Sequence, residues 1–163
     1  MSTLEERLAR MEAIEEIKAL KHRYLRACDA KRPEEFRDCF IADGAVVDYG
    51  PRVGRFEDAD GIAAVFSHVA LKRVNERVVV LDMHHAMHAD IQIVAAGEAT
   101  GQWTLRFRQV DLEAAEERLS AIEYADRYVI EDDQWRIARC EVSVLWTLVK
   151  PLPEGFKVTE AFS

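Results

Sequence analysis

The chain has 163 residues, 49% hydrophobic and 32% charged, the composition of a globular protein whose core needs neither disulfide nor metal staples. Its 30 acidic against 22 basic residues leave a formal charge of −8, which excludes general electrostatic attraction to nucleic acid or to an anionic membrane. Three cysteines, Cys28, Cys39 and Cys140, are odd in number and form no CxxC pair, so neither a disulfide framework nor a structural zinc site is expected. A single domain over 1–163 is expected, with a core over 8–148 and a tail over 149–163. The first residues carry acids from position 5 and no long apolar run, so the reading is of a cytoplasmic protein without a signal peptide or membrane anchor.

From Leu4, the residues Leu8, Met11, Ile14, Ile17, Leu20, Tyr24 and Cys28 recur in steps of three and four and predict one face of a long helix. The stretch from Asp29 to Pro33 breaks that period. Pro33 then suits the first turn of a short helix, PEEFRDCF. Asp43-Gly44 reads as a turn, and Ala45 to Tyr49 as a strand stopped by Gly50-Pro51. A third helix is expected from Asp58 to about Lys72, with Ile62, Val65, Phe66 and Val69 on one side. From Val78 the period becomes two, and strands are expected at 84–95, 98–110, 119–131 and 134–148. Ala96-Gly97 and Asp132-Asp133 read as hairpin turns and 111–118 as a longer charged loop. Helices first and a curled sheet afterwards define an α+β fold. The tail, KPLPEGFKVTEAFS, is expected to cross onto a neighbouring subunit or to stay mobile.

Chemistry concentrates in two places. Tyr24 and Asp29 lie five apart on the first helix, about 140° around its axis, so they share one cavity only if the helix loosens after Asp29. Taken alone, Asp29 reads equally as a helix-end surface residue, and Tyr24 as core with its hydroxyl at the rim. The segment Asp82-Met-His84-His85-Ala-Met-His88-Ala-Asp90 gathers three of the 5 histidines on one strand. Adjacent strand residues face opposite sides, so only one of His84 and His85 faces the cavity. A neutral imidazole held by a carboxylate is a suitable general base near neutral pH, and Asp29 is the candidate carboxylate.

His84, His88 and Asp90 share parity, but strand residues four apart are about 13 Å apart, too far to share a metal unless a bulge intervenes. No metal and no other cofactor is expected. His85 and His88 read as a strand face or subunit contact, and Cys28 as an apolar filler rather than a nucleophile. Trp103, Phe107, Tyr124, Tyr128, Trp135 and Trp146 read as core or subunit interface, with some lining a pocket for a flat hydrophobic ligand.

Together, the segments IEEIKALKHRYLRACDAKRPEEFRDCFIADGAVVDYG, HHAMHADIQIV, ATGQWTLRF and DRYVIEDDQWRIARCEVS resemble the SnoaL-like family of the nuclear-transport-factor-two-like superfamily. The resemblance covers residues 8–148 and implies a cone-shaped α+β barrel, its N-terminal helices packed on a curled mixed or antiparallel sheet. Enzymes of that group, such as scytalone dehydratase, lindane dehydrochlorinase and bile-acid 7α-dehydratase, share a cavity Asp–His dyad whose matching positions here are Asp29 and His84. The same resemblance raises Tyr24 and Tyr49 to candidate hydrogen-bond donors, and Trp103, Tyr124, Cys28 and Val47 are taken as the substrate pocket. Gln109 and Cys140 stand where scytalone dehydratase has a second cavity histidine and the dehydrochlorinase an arginine. The implied activity is a cofactor-independent, dehydratase-like lyase or isomerase acting on a small hydrophobic, aromatic or polycyclic ligand, in a homo-oligomer, trimer or dimer. The superfamily also contains non-catalytic β subunits of ring-hydroxylating dioxygenases and polyketide-cyclase-like ligand binders, which remain as alternatives.

Overall fold

The computed structural model describes residues 2–160, the Val69 side chain excepted, so the expected place of Val69 on the third helix's inner side lies outside the described residues. Helix α1, Leu4–Asp29, starts with a capping box in which Thr3 and Glu6 satisfy each other's backbone N–H groups. Its buried residues all lie from Ile17 onward, while Leu4, Leu8 and Met11 are exposed. The apolar stripe is thus continuous in sequence but packed only along its second half. Helix α2, Pro33–Arg37, is shorter than the sequence suggested and buries Phe36. Helix α3, Ala59–Val69, is capped by Asp58, whose carboxylate accepts from the Asp60 N–H.

The main sheet has six strands in the order β2 (Arg55–Phe56), β1 (Val46–Asp48), β8 (Gln134–Pro151), β7 (Glu116–Glu131), β6 (Glu98–Asp111) and β5 (Val80–Ala95). β1 runs parallel to β8 and every other pairing is antiparallel, so the sheet is mixed. Its ends do not join: β2 and β5 are edges. The helices pack on one face of this sheet, where Ile17, Leu20, Tyr24 and Phe36 join Val47, Leu105, Tyr128, Ile137 and Cys140 in one core. The α+β class and the helices-on-curled-sheet layout agree with the sequence reading.

Several boundaries differ for identifiable reasons. The expected loop at 111–118 is only a turn at 112–115, pinned by Asp111 Oδ1, which accepts from the Glu113 and Ala114 N–H groups. Glu116, Glu117 and Arg118 are strand residues, and Glu117 pairs with Arg108 and Lys150 on the flanking strands. The start of the presumed tail belongs to β8, which runs to Pro151. A separate hairpin, β3 (Arg73–Val74) with β4 (Arg77–Val78), turns at Asn75 and Glu76, both at positive φ.

In β5 the register shifts between Met87 and Asp90, and His88 takes φ 52°. This bulge exchanges the inward parity. Before it Asp82, His84 and Ala86 face inward; after it Ile91 and Ile93 do, and His88 and Asp90 are exposed.

Candidate active site

Asp29 is the last residue of α1, and its carboxylate reaches across to β5. Its Oδ1 lies 2.6 Å from His84 Nδ1, and both oxygens are 3.1 Å from the His84 backbone N–H. One carboxylate therefore grips a single residue at both backbone and ring. That contact assigns the proton to Nδ1 and leaves the Nε2 lone pair for a proton acceptor role. The His84 ring packs on Phe107 with centroids 4.6 Å apart, and the two side chains are 11% (His84) and 30% (Asp29) exposed, so the pair is sheltered yet reachable. His85 points to the exposed face.

The helix does not loosen at this point. α1 closes instead in a Schellman turn: Arg32 N–H donates to Ala27 O at 2.9 Å and Lys31 N–H to Cys28 O at 3.3 Å. Lys31 holds the left-handed position at φ 60°, where a non-glycine residue costs roughly 1 kcal/mol.

Tyr24 is turned away from Asp29. Its hydroxyl is 3.0 Å from that of Tyr49, and its ring packs against Phe36, Phe40 and Tyr124. Burial pushes both phenols well above their ordinary range, so at neutral pH they are protonated hydrogen-bond donors. The four sequence candidates thus stand as two pairs, Asp29 with His84 and Tyr24 with Tyr49.

Burial, followed by the charges of Asp29 and Asp82, drives the Cys28 thiol upward, so it is not a thiolate nucleophile. Trp103, Tyr124, Cys28 and Val47 all lie in the buried core, and Trp103 Nε1 donates to the Tyr128 hydroxyl at 3.0 Å. No group of three or more His, Cys, Asp or Glu side chains converges as a metal site among the described residues. An open groove of about 500 Å³ beside Asp48, Arg55, Glu141 and Ser143 contains none of the candidate residues.

Two buried ion pairs escaped the sequence reading. Lys21 Nζ lies 2.7 Å from Asp126 Oδ2 with both side chains fully buried, and it sits over the Tyr124 ring, 3.7 Å from the centroid. The same Asp126 oxygen accepts from the Tyr128 hydroxyl at 2.7 Å. Asp126 Oδ1 has no hydrogen-bond partner among the described residues. The second pair joins Lys31 to Asp82, 3% and 7% exposed, and Gln109 Nε2 donates to the other Asp82 oxygen at 3.0 Å. The clues were present: Lys21 borders the α1 stripe, next to Leu20 and four after Ile17, while Asp126 shares parity with Tyr124 and Tyr128, and Asp82 with His84.

Among solved structures, the chain is similar to a type 2 hexachlorocyclohexane dehydrochlorinase, LinA, with TM-score 0.78 and 16% identity over 91% of this chain and 99% of that one. It is also similar to a candidate scytalone dehydratase from Novosphingobium aromaticivorans, with TM-score 0.74 and 20% identity over 91% and 97% of the two chains. A candidate aromatic ring hydroxylase from Novosphingobium aromaticivorans follows with TM-score 0.73 and 17% identity over 86% and 94%. At such identities the likeness establishes the fold. No curated protein matches significantly. The family model of the SnoaL-like domain matches residues 9–141, from the second turn of α1 through α2, α3 and every strand as far as the first half of β8. The chain belongs to the SnoaL-like domain family.

Proposed function

We propose that the chain is a single-domain, cofactor-independent lyase or isomerase of dehydratase type, in which the Asp29–His84 pair abstracts a proton from a hydrophobic ring substrate. One observation carries this reading: the 2.6 Å contact between Asp29 Oδ1 and His84 Nδ1 on an inward strand position. Asp29 holds the Nδ1 proton, so His84 Nε2 accepts a proton from a ring carbon beside a carbonyl or a leaving group. The C–H electron pair becomes a C=C bond as the C–halogen bond breaks and halide departs, or as the C–O bond breaks and the leaving oxygen takes the proton back from the His84 imidazolium to depart as water. In an isomerisation, the imidazolium instead returns the proton at another carbon. The Tyr24–Tyr49 pair donates a hydrogen bond to the developing oxyanion or the leaving hydroxyl, and Trp103, Tyr124, Cys28 and Val47 form the apolar wall.

The substrate class rests on that wall and on the dehydrochlorinase and dehydratase named among the similar structures. We place the reaction in the cytoplasm, in keeping with three free, buried thiols. The exposed apolar side chains Val144, Leu145, Trp146, Leu148 and Val149 at the end of β8 favour a homo-oligomer in which another copy covers them. No helix among the described residues is long and apolar enough to cross a membrane.

The test is a panel of hydroxylated and halogenated cyclic ketones and cyclohexanes, with product read by mass spectrometry. Loss of water or halide with the native protein and not with His84→Gln is expected, and equal turnover by the two rejects the assignment. The similarity to a candidate aromatic ring hydroxylase favours a second reading, a non-catalytic partner of an oxygenase. That reading requires co-purification with a catalytic chain and no turnover of any panel member.

A further inference from the structure

The turn that presents Asp29 is closed by a buried lysine at a position where glycine is the unstrained choice. Burying an ammonium carries a desolvation cost even when it is paired, so Lys31 incurs two penalties at once. Neither serves solubility, because the side chain is only 3% exposed. Its placement explains both. Lys31 lies two residues after Asp29, and it pairs with Asp82, which lies two residues before His84 and on the same inward face. The ion pair therefore bridges the same gap between the end of α1 and β5 that the Asp29–His84 contact bridges. Gln109, the cross-strand partner of Asp82, fixes the second carboxylate oxygen. Among the described residues at this gap, the charged groups are Asp29 from α1, Lys31 from the turn and Asp82 from β5; α1 adds the protonated Cys28 thiol, and β6 offers the uncharged Phe107 and Gln109.

We propose that Lys31 is a positioning residue for the Asp29–His84 pair: with Asp82 it locks the turn onto β5 and offsets the second inward carboxylate, so His84 works against the charge of Asp29 alone. The proposal rests on the reading of His84 as the base. An unpaired Asp82 carboxylate two residues away on the same inward face would favour the imidazolium, whose added proton takes the lone pair on which proton abstraction depends.

The test follows the His84 ring by NMR against pH in substrate-free protein. Lys31→Met leaves Asp82 uncompensated and moves the His84 transition to higher pH than in the native protein. Asp82→Asn leaves Lys31 uncompensated and moves it to lower pH, and the double variant returns it toward the native position. The acid limb of kcat/KM moves in the same directions. A turn that matters only for stability would lower the melting temperature and leave the His84 transition where it is, and that result overturns the proposal. Should Lys31→Met fail to fold, Asp82→Asn decides alone, with an unmoved transition again overturning it. Because the titration needs no substrate, the proposal and the catalytic reading fail separately.

Discussion

Replacing Lys21 with methionine isolates the buried charge beneath the aromatic cluster. Methionine keeps most of the stem that packs on Tyr124, so the change falls on the ammonium. Asp126 would then remain fully buried with the Tyr128 hydroxyl as the donor to its Oδ2 and none to its Oδ1. Removing one member of a buried pair costs about 3–5 kcal/mol, because the partner charge keeps its desolvation penalty without its counterion. For a chain of this length each kcal/mol lowers the melting temperature by about 2–4 °C, which sets an expected loss on the order of 10 °C. Thermal unfolding followed by circular dichroism measures it. Lys21→Met combined with Asp126→Leu removes both charges and should recover most of the loss, since apolar replacement of a whole buried pair is often close to neutral. A single variant within about 1 kcal/mol of native, or a double variant no better than the single, would refute the claim that the pair matters through uncompensated burial.

All 4 tyrosines have phenols raised by burial, so their contribution to stability is full below the unfolded-state value near 10.0 and is lost as pH climbs toward the folded-state values. Ultraviolet phenolate absorbance should therefore rise only together with alkaline unfolding, and a tyrosine that ionises while the fold is intact would contradict the packing. Gly101→Ala would place a Cβ 2.8 Å from Tyr128 Cε2, and its cost is expected at about 1–3 kcal/mol; an unchanged melting temperature would mean that the ring moves freely. Tyr24→Phe and Tyr49→Phe each remove one hydroxyl of the 3.0 Å pair, and kcat for the proposed elimination should fall roughly 10²-fold with little change in KM. An unchanged kcat in both variants would take the tyrosines out of the mechanism.

What could be read from the sequence was local. The α1 stripe, the start of α3 near Asp58, the period-two strands and the Asp132-Asp133 turn, with both residues at positive φ, carry their signals within a few residues. The β3–β4 hairpin was hidden because Asn75-Glu76 lacks the glycine that marks such turns, and the charges at 116–118 looked like a loop because the partners of Glu117 lie on other strands, while Glu116 and Arg118 pair with each other. At the site, alternation already held that only one of His84 and His85 could face inward. Asp82 lay ahead of the strand expected at 84–95, and its link to Lys31 joins residues 51 apart, so only the folded chain brings them together. Lys21 borders the apolar stripe, next to Leu20 and four after Ile17. Without the position of Asp126, that charge reads as a solvated residue rather than as half of a buried pair.

The central claim is that His84, held by Asp29, removes a proton from carbon. Deuterium exchange at the acidic ring carbon of cyclic ketones in heavy water reads that step before any leaving group departs. The native protein should catalyse exchange, and His84→Gln should slow it by roughly 10²–10⁴-fold, the usual worth of a positioned general base. Equal exchange by the two proteins, or none by either, would contradict the account.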